Sequence, residues 1–116
     1  MRHKKGNRKL SKPTDQRIAL LRSLTLSFIT HEKIKTTDVR AKEAQKYIER
    51  LITLAKKGDL HSRRQALKLL PNKDAVKKLF DVISKNYGER NGGYTRLIKL
   101  GYRRGDASPV SLLEFV

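Results

Sequence analysis

Apolar positions along the 116-residue chain follow two different periods. From Asp15 to about Thr30, Ile18, Leu21 and Phe28 form one helical stripe, with Leu20, Leu24 and Ile29 beside it, which predicts a helix apolar on most sides and central to the fold. Pro13 and Thr14 punctuate its start, and Asp15 suits the positive end of its dipole. Lys33 to Thr37 then alternates charged and branched residues with period two, the pattern of a short strand. Thr37 and Asp38 open the next helix, and the helical signal from Asp38 to about Lys57 is the strongest in the chain. Ala41, Ala44, Ile48, Leu51, Ile52 and Ala55 keep to one face there, while Arg40, Lys42, Lys46 and Arg50 cover the other. Gly58 stops this helix, Asp59 caps a shorter one through Leu60, Leu67 and Leu70, and Pro71-Asn72 breaks again. Ala75, Val76, Leu79, Phe80 and Ile83 mark a fourth amphipathic helix.

Past a glycine-rich loop, period two returns. Tyr94, Arg96, Ile98, Leu100 and Tyr102 share one side of a strand, with Thr95, Leu97 and Lys99 on the other. A turn at residues 104–109 leads to a final strand, Val110 to Val116, and the pair reads as an antiparallel hairpin. The expected fold is α+β: about four helices packed on a small three-stranded, mostly antiparallel sheet. Residues 1–12 form a separate basic arm in front of a globular domain spanning 13–116.

Charge sharpens that division. Lysine and arginine number 28 against 11 acids, a formal net charge of +17. A small domain is comfortable at a net charge of about 2–8, and a larger surplus destabilises the free compact state by self-repulsion. A polyanionic partner accounts for it, nucleic acid first and anionic membrane second. The arm carries Arg2, Lys4, Lys5, Arg8, Lys9 and Lys12, no acid, and only Met1 and Leu10 as apolar residues. Ordering its backbone costs about 1–2 kcal/mol per residue, which two apolar side chains do not offset, so the arm is expected to be disordered until it meets phosphates. A solvated tail that only aids solubility is the plainer alternative.

The stretch from Tyr87 to Asp106 combines Arg90, Arg96, Lys99, Arg103 and Arg104 with Gly92-Gly93 and the tyrosines Tyr94 and Tyr102. Arginine forks, bare backbone amides and aromatic planes are groups that hold nucleic acid. Lys33 and Lys35 are secondary candidates, and the pair Arg63-Arg64 is either a phosphate contact or a solvated face.

Other chemistry finds little support. With no cysteine, disulfide scaffolds, zinc ribbons and thiol catalysis are excluded. His3, His31 and His61 are far apart, and the acids are scattered singly, so neither a metal site nor a nuclease-like carboxylate pair is expected. The glycines at 88, 92 and 93 precede a strand and lack the Lys-Ser/Thr of a P-loop. Expectation is therefore of a non-enzyme without cofactor or small-molecule substrate. No apolar run approaches the ~18 residues of a membrane span, and the charged start lacks the apolar segment of a secretory signal.

Five segments occur in a telling order: MRHKKGNRKLSK at the start, IKTT at Ile34–Thr37 with Lys42-Glu43 behind it, LITLAKKGDLHSRRQAL at Leu51–Leu67, GGYTR at Gly92–Arg96, and RRGD at Arg103–Asp106. Together they resemble the bacterial-type large-subunit ribosomal protein family numbered seventeen, over essentially the whole chain. Each motif alone is weak, and their joint order and spacing carry the resemblance. The last strand departs from it, reading SPVSLLEFV where relatives typically read APMAYIELV.

The resemblance implies a structural constituent of the large ribosomal subunit that binds its ribosomal RNA, in the cytoplasm or in a plastid or mitochondrial ribosome. It also implies a place near the nascent-chain exit, beside the ribosomal protein numbered thirty-two. On that view Arg2, His3, Lys4, Lys5, Arg8, Lys9 and Lys12 thread between RNA segments, reading shape because A-form RNA hides its major-groove edges. Arg90, Arg96, Lys99, Arg103 and Arg104 meet phosphates, with the Gly92-Gly93 backbone at close range. Tyr94 either stacks on a splayed base or belongs to the core. A DNA-binding architectural protein is the alternative that shares the charge.

Overall fold

The strongest helical period in the sequence becomes the axis of the fold. The computed structural model describes residue 10 and residues 12–116. Helix α1 spans Thr14–His31, strand β1 Lys33–Thr37, helix α2 Asp38–Lys57, helix α3 Leu60–Leu69 and helix α4 Lys73–Lys78; strands β2 (Thr95–Tyr102) and β3 (Pro109–Phe115) complete the order. Along α2, Ala41, Ala44, Ile48, Leu51, Ile52 and Ala55 are all buried, as their spacing predicts. Each large apolar side chain removed from water there contributes about 1.5–3 kcal/mol.

Local signals set most boundaries. Gly58 ends α2 in the left-handed region at φ 71°, where a side chain would be strained. The Asp59 carboxylate accepts the Ser62 amide at 2.7 Å and starts α3, and the Asn72 side chain does the same for Ala75 at 2.9 Å to start α4. Two basic side chains close helix ends from outside: Arg22 donates to the carbonyls of Leu69 and Lys68 at 3.1 and 3.0 Å, and Lys78 to Ile29 at 2.8 Å.

Helix α1 is not central. It buries only Thr25, Phe28 and Ile29, and Ile18 stays 37 % exposed. Its apolar positions spread round the helix, and covering all of them would need neighbours on every side; α2, β1 and α4 reach only part of it. The fourth helix also departs from a regular course. After Lys78 it widens to a π turn over Leu79–Ile83 and tightens to a 3₁₀ turn over Ser84–Tyr87. Ser84 Oγ donates to the Phe80 carbonyl at 2.7 Å, a side-chain bond that competes with the regular ladder. Leu79, Phe80, Ile83 and Tyr87 still reach the core.

The sheet is antiparallel with order β1-β3-β2, so the last strand is the middle one. Register sets Lys35 opposite Leu112 and Ile98 opposite Leu112 from the other edge; Lys33 and Arg96 flank Glu114 in the same way. Successive residues face opposite sides of a sheet. Leu113 and Ser111 are fully buried against the helices, which leaves Lys33, Lys35, Arg96, Ile98 and Leu112 on the open face. The expected single row from Tyr94 to Tyr102 holds only for Arg96 and Ile98. Tyr94 precedes the strand and is buried, and a bulge between Lys99 and Gly101 inserts Leu100 and breaks the alternation.

Candidate nucleic-acid interface

Helix α2 positions the glycine loop from beneath. Its Glu49 carboxylate accepts the Tyr94 amide at 3.0 and 3.2 Å and the Thr95 hydroxyl at 3.1 Å, while Gln45 donates to the same hydroxyl at 3.1 Å. Lys56 donates to the Tyr94 hydroxyl at 3.0 Å and to the Arg90 carbonyl. That lysine bond holds the Tyr94 hydroxyl below its ordinary pKa. Arg90 in turn donates to the Gly93 carbonyl at 3.1 Å. Gly92 and Gly93 have φ of 89° and 60°, so the loop needs glycine for its backbone path; a Cβ at Gly92 would meet nothing within 4 Å.

Of the two placements open for Tyr94, the structure has the core one. Its ring is 3 % exposed and meets the Tyr87 ring edge-on, with centroids 5.5 Å apart. A base cannot stack on a ring that is already covered.

The remaining sequence candidates separate into paired and unpaired cations. Arg96 donates to Glu114 at 2.7 Å. Arg103 grips Asp106 through Nε at 3.2 Å and Nη2 at 2.5 Å, which holds the Asp106 carboxyl well below the usual range, helped by the Ser108 amide. Arg63 lies over the Phe80 ring at 4.8 Å and 3.4 Å from Asp81. Lys33, Lys35, Arg64, Lys99 and Arg104 are exposed and have no ion pair among the described residues. Lys12 is half-buried. Arg2, His3, Lys4, Lys5, Arg8 and Lys9 lie outside the described residues.

The structure gathers part of this set. Across the hairpin end of the sheet a hollow of about 480 Å³ is lined by Lys35 of β1, Arg40 of α2, and Tyr102, Arg103 and Arg104 of the hairpin. Lys33 and Arg96 lie farther along the open face, and Arg63 and Arg64 belong to α3, outside this hollow. Tyr102 belongs to the basic aromatic stretch that the sequence marks out, whereas Arg40 is a candidate binding residue that only the fold reveals. Arg40 reads there as one more cation on the polar face of α2; its place in the first turn, three residues past β1, is the signal that brings it to the sheet end.

Among the described residues, no group of three or more His, Asp or Glu side chains is placed to hold a metal ion. No helix among them is long and apolar enough to cross a membrane.

Comparison with known proteins agrees with the resemblance carried by the motifs. The family model described as Ribosomal protein L17 matches residues 20–116. The "Large ribosomal subunit protein bL17" of Clostridium perfringens strain SM101 is 57 % identical over 111 residues, covering 96 % of this chain and 98 % of the relative. The protein of the same description from Clostridium acetobutylicum is 56 % identical, covering 96 % and 97 %. That of Caldanaerobacter subterraneus is 56 % identical over 109 residues, covering 94 % and 97 %. With near-complete coverage on both sides, and the fold its motifs imply, the chain belongs to the ribosomal protein L17 family.

Proposed function

We propose that this chain is a structural constituent of the large ribosomal subunit, working in the cytoplasm, and that it binds large-subunit ribosomal RNA through its basic surfaces. The observation that carries the reading is a surplus charge of +17 whose described part leaves Lys33, Lys35, Lys99 and Arg104 exposed on the sheet and hairpin with no salt bridge among the described residues. Cations carried on a sheet and its hairpin neutralise phosphates without the backbone having to be ordered at binding, because the strands already fix it.

The acids of the hairpin refine this picture. Asp106 and Glu114 already hold Arg103 and Arg96, so these two arginines keep their forks oriented and must share them with any phosphate. Arg90 acts first on its own loop, through Gly93, and meets RNA from that position. Arg2, His3, Lys4, Lys5, Arg8, Lys9 and Lys12 extend the basic surface from the amino end. Arg63 and Arg64 form a separate contact on α3. The family resemblance adds a position near the nascent-chain exit and contact with the ribosomal protein numbered thirty-two.

Co-sedimentation tests the reading. The purified chain should travel with bacterial large subunits from which its counterpart has been removed. Duplex DNA in excess should not displace it. Release by the DNA would favour the architectural alternative, and failure to sediment at all would remove the ribosomal reading.

A further inference from the structure

We infer that the hollow at the hairpin end of the sheet receives one unpaired nucleotide of the RNA, its base stacked on Tyr102 and its flanking phosphates met by Lys35, Arg40 and Arg104. The inference rests on the RNA-binding reading and adds a base-holding subsite to it.

The four tyrosines differ sharply in what they do. Tyr47 donates to the Leu69 carbonyl, Tyr87 to the Val116 carbonyl at 3.0 Å, and Tyr94 accepts from Lys56, so each of these hydroxyls is engaged inside the protein. Tyr102 is 78 % exposed and has no hydrogen-bond or ring partner among the described residues. An isolated exposed ring needs no explanation. This one stands at the rim of a concavity whose charged lining is entirely basic.

Size and shape favour a single nucleotide over a duplex. A volume of about 480 Å³ suits a small ligand, whereas a helical RNA segment is too broad to enter and would ride over the rim. Unstacked bases are the part of RNA that aromatic side chains capture, and every base has a face to offer. Leu100 and Val110 give the hollow apolar walls beside the ring. At Gly101 the backbone takes φ 122°, and a Cβ there would meet nothing within 4 Å, so the floor beside Tyr102 is open.

The cations divide the work. Arg103 is held by Asp106 and shapes the turn, while Lys35, Arg40 and Arg104 have no ion pair among the described residues. They lie on three different elements round one ring, an arrangement that neutralises phosphates on both sides of a splayed base.

The test compares variants of the full chain binding to deproteinised bacterial large-subunit ribosomal RNA. Tyr102→Ala should weaken binding by about 5- to 100-fold without changing its salt dependence, because no cation is lost. Tyr102→Phe keeps the stacking plane and should bind within about two-fold of the unaltered chain. Arg40→Ala should reduce the salt slope by about one. At least one base shielded from dimethyl sulfate by the unaltered chain should regain reactivity with Tyr102→Ala. Thermal melts of all variants should coincide, since these side chains are exposed. If Tyr102→Ala binds as tightly as the unaltered chain and shields the same bases, the subsite is overturned while the RNA-binding reading stands. If Tyr102→Ala holds free RNA normally but assembled subunits weakly, the ring belongs to a protein neighbour and the subsite is again overturned. Absence of binding by the unaltered chain would overturn both readings together.

Discussion

Glu49 on α2 accepts the backbone amide of Tyr94 with both carboxylate oxygens, at 3.2 and 3.0 Å, and so ties the end of the glycine loop to the central helix. The same carboxylate takes the Thr95 hydroxyl, so one side chain fixes the first residues of β2. A hydrogen bond to a charged group contributes about 1.5–3 kcal/mol. Glu49→Ala should therefore destabilise the chain by about 2 kcal/mol in urea unfolding, and hydrogen exchange at the Tyr94 amide should accelerate. Glu49→Gln keeps an acceptor and should lose less.

The glycine pair offers a cleaner separation of backbone from packing. Gly92 has φ 89° with open space where a Cβ would stand, and Gly88 has φ −54° with equally open space. Gly92→Ala should cost about 1–2 kcal/mol through strain alone, while Gly88→Ala should be neutral or slightly stabilising. Denaturant midpoints measured side by side decide it.

Much of this architecture is legible in the sequence because it rests on local chemistry. The strand from Lys33 to Thr37 alternates cleanly, the stripe from Ala41 to Ala55 admits only a helix, and Gly58-Asp59 pairs a stop with a cap. What escaped reading depends on distant partners. Tyr94 lies among glycines and arginines, where the sequence leaves a stacking platform and a core residue equally open, and its enclosure by Tyr87 and Lys56 decides for the core. Leu100 breaks the alternation of β2 only because β3 pairs with Lys99 and Gly101 across the bulge. The hollow exists because β3 inserts between β1 and β2 and brings Lys35 and Arg104 to one end of the sheet.

The off-centre position of α1 has a direct consequence for mutation. Ile48 on α2 is fully buried and Ile18 on α1 is not. Ile48→Ala should cost about 2–5 kcal/mol, whereas Ile18→Ala should cost under about 1 kcal/mol. Equal losses in a calorimetric comparison would mean that α1 is as central as its apolar residues imply.

Acid should loosen the fold at identifiable contacts. Asp38 accepts from Ser111 Oγ at 2.7 Å and pairs with Lys42 at 3.1 Å, and these contacts, the Ser111 bond first, hold its carboxyl below the ordinary value. Asp59 is lowered by Ser62 in the same direction. A carboxylate with a depressed folded pKa stabilises above its unfolded value, near 3.9, and loses that contribution as pH falls through the folded one. The melting temperature should be flat from about pH 7 to 5 and fall below about pH 4. Asp38→Asn should melt lower at pH 7 and show a shallower acid decline.

Salt dependence of binding to large-subunit ribosomal RNA tests the electrostatic claim most directly. With about 6–10 phosphates engaged, affinity should fall by about 10³–10⁵ between roughly 50 and 200 mM salt. An affinity that barely changes across that range would contradict the assignment of these cations to phosphates.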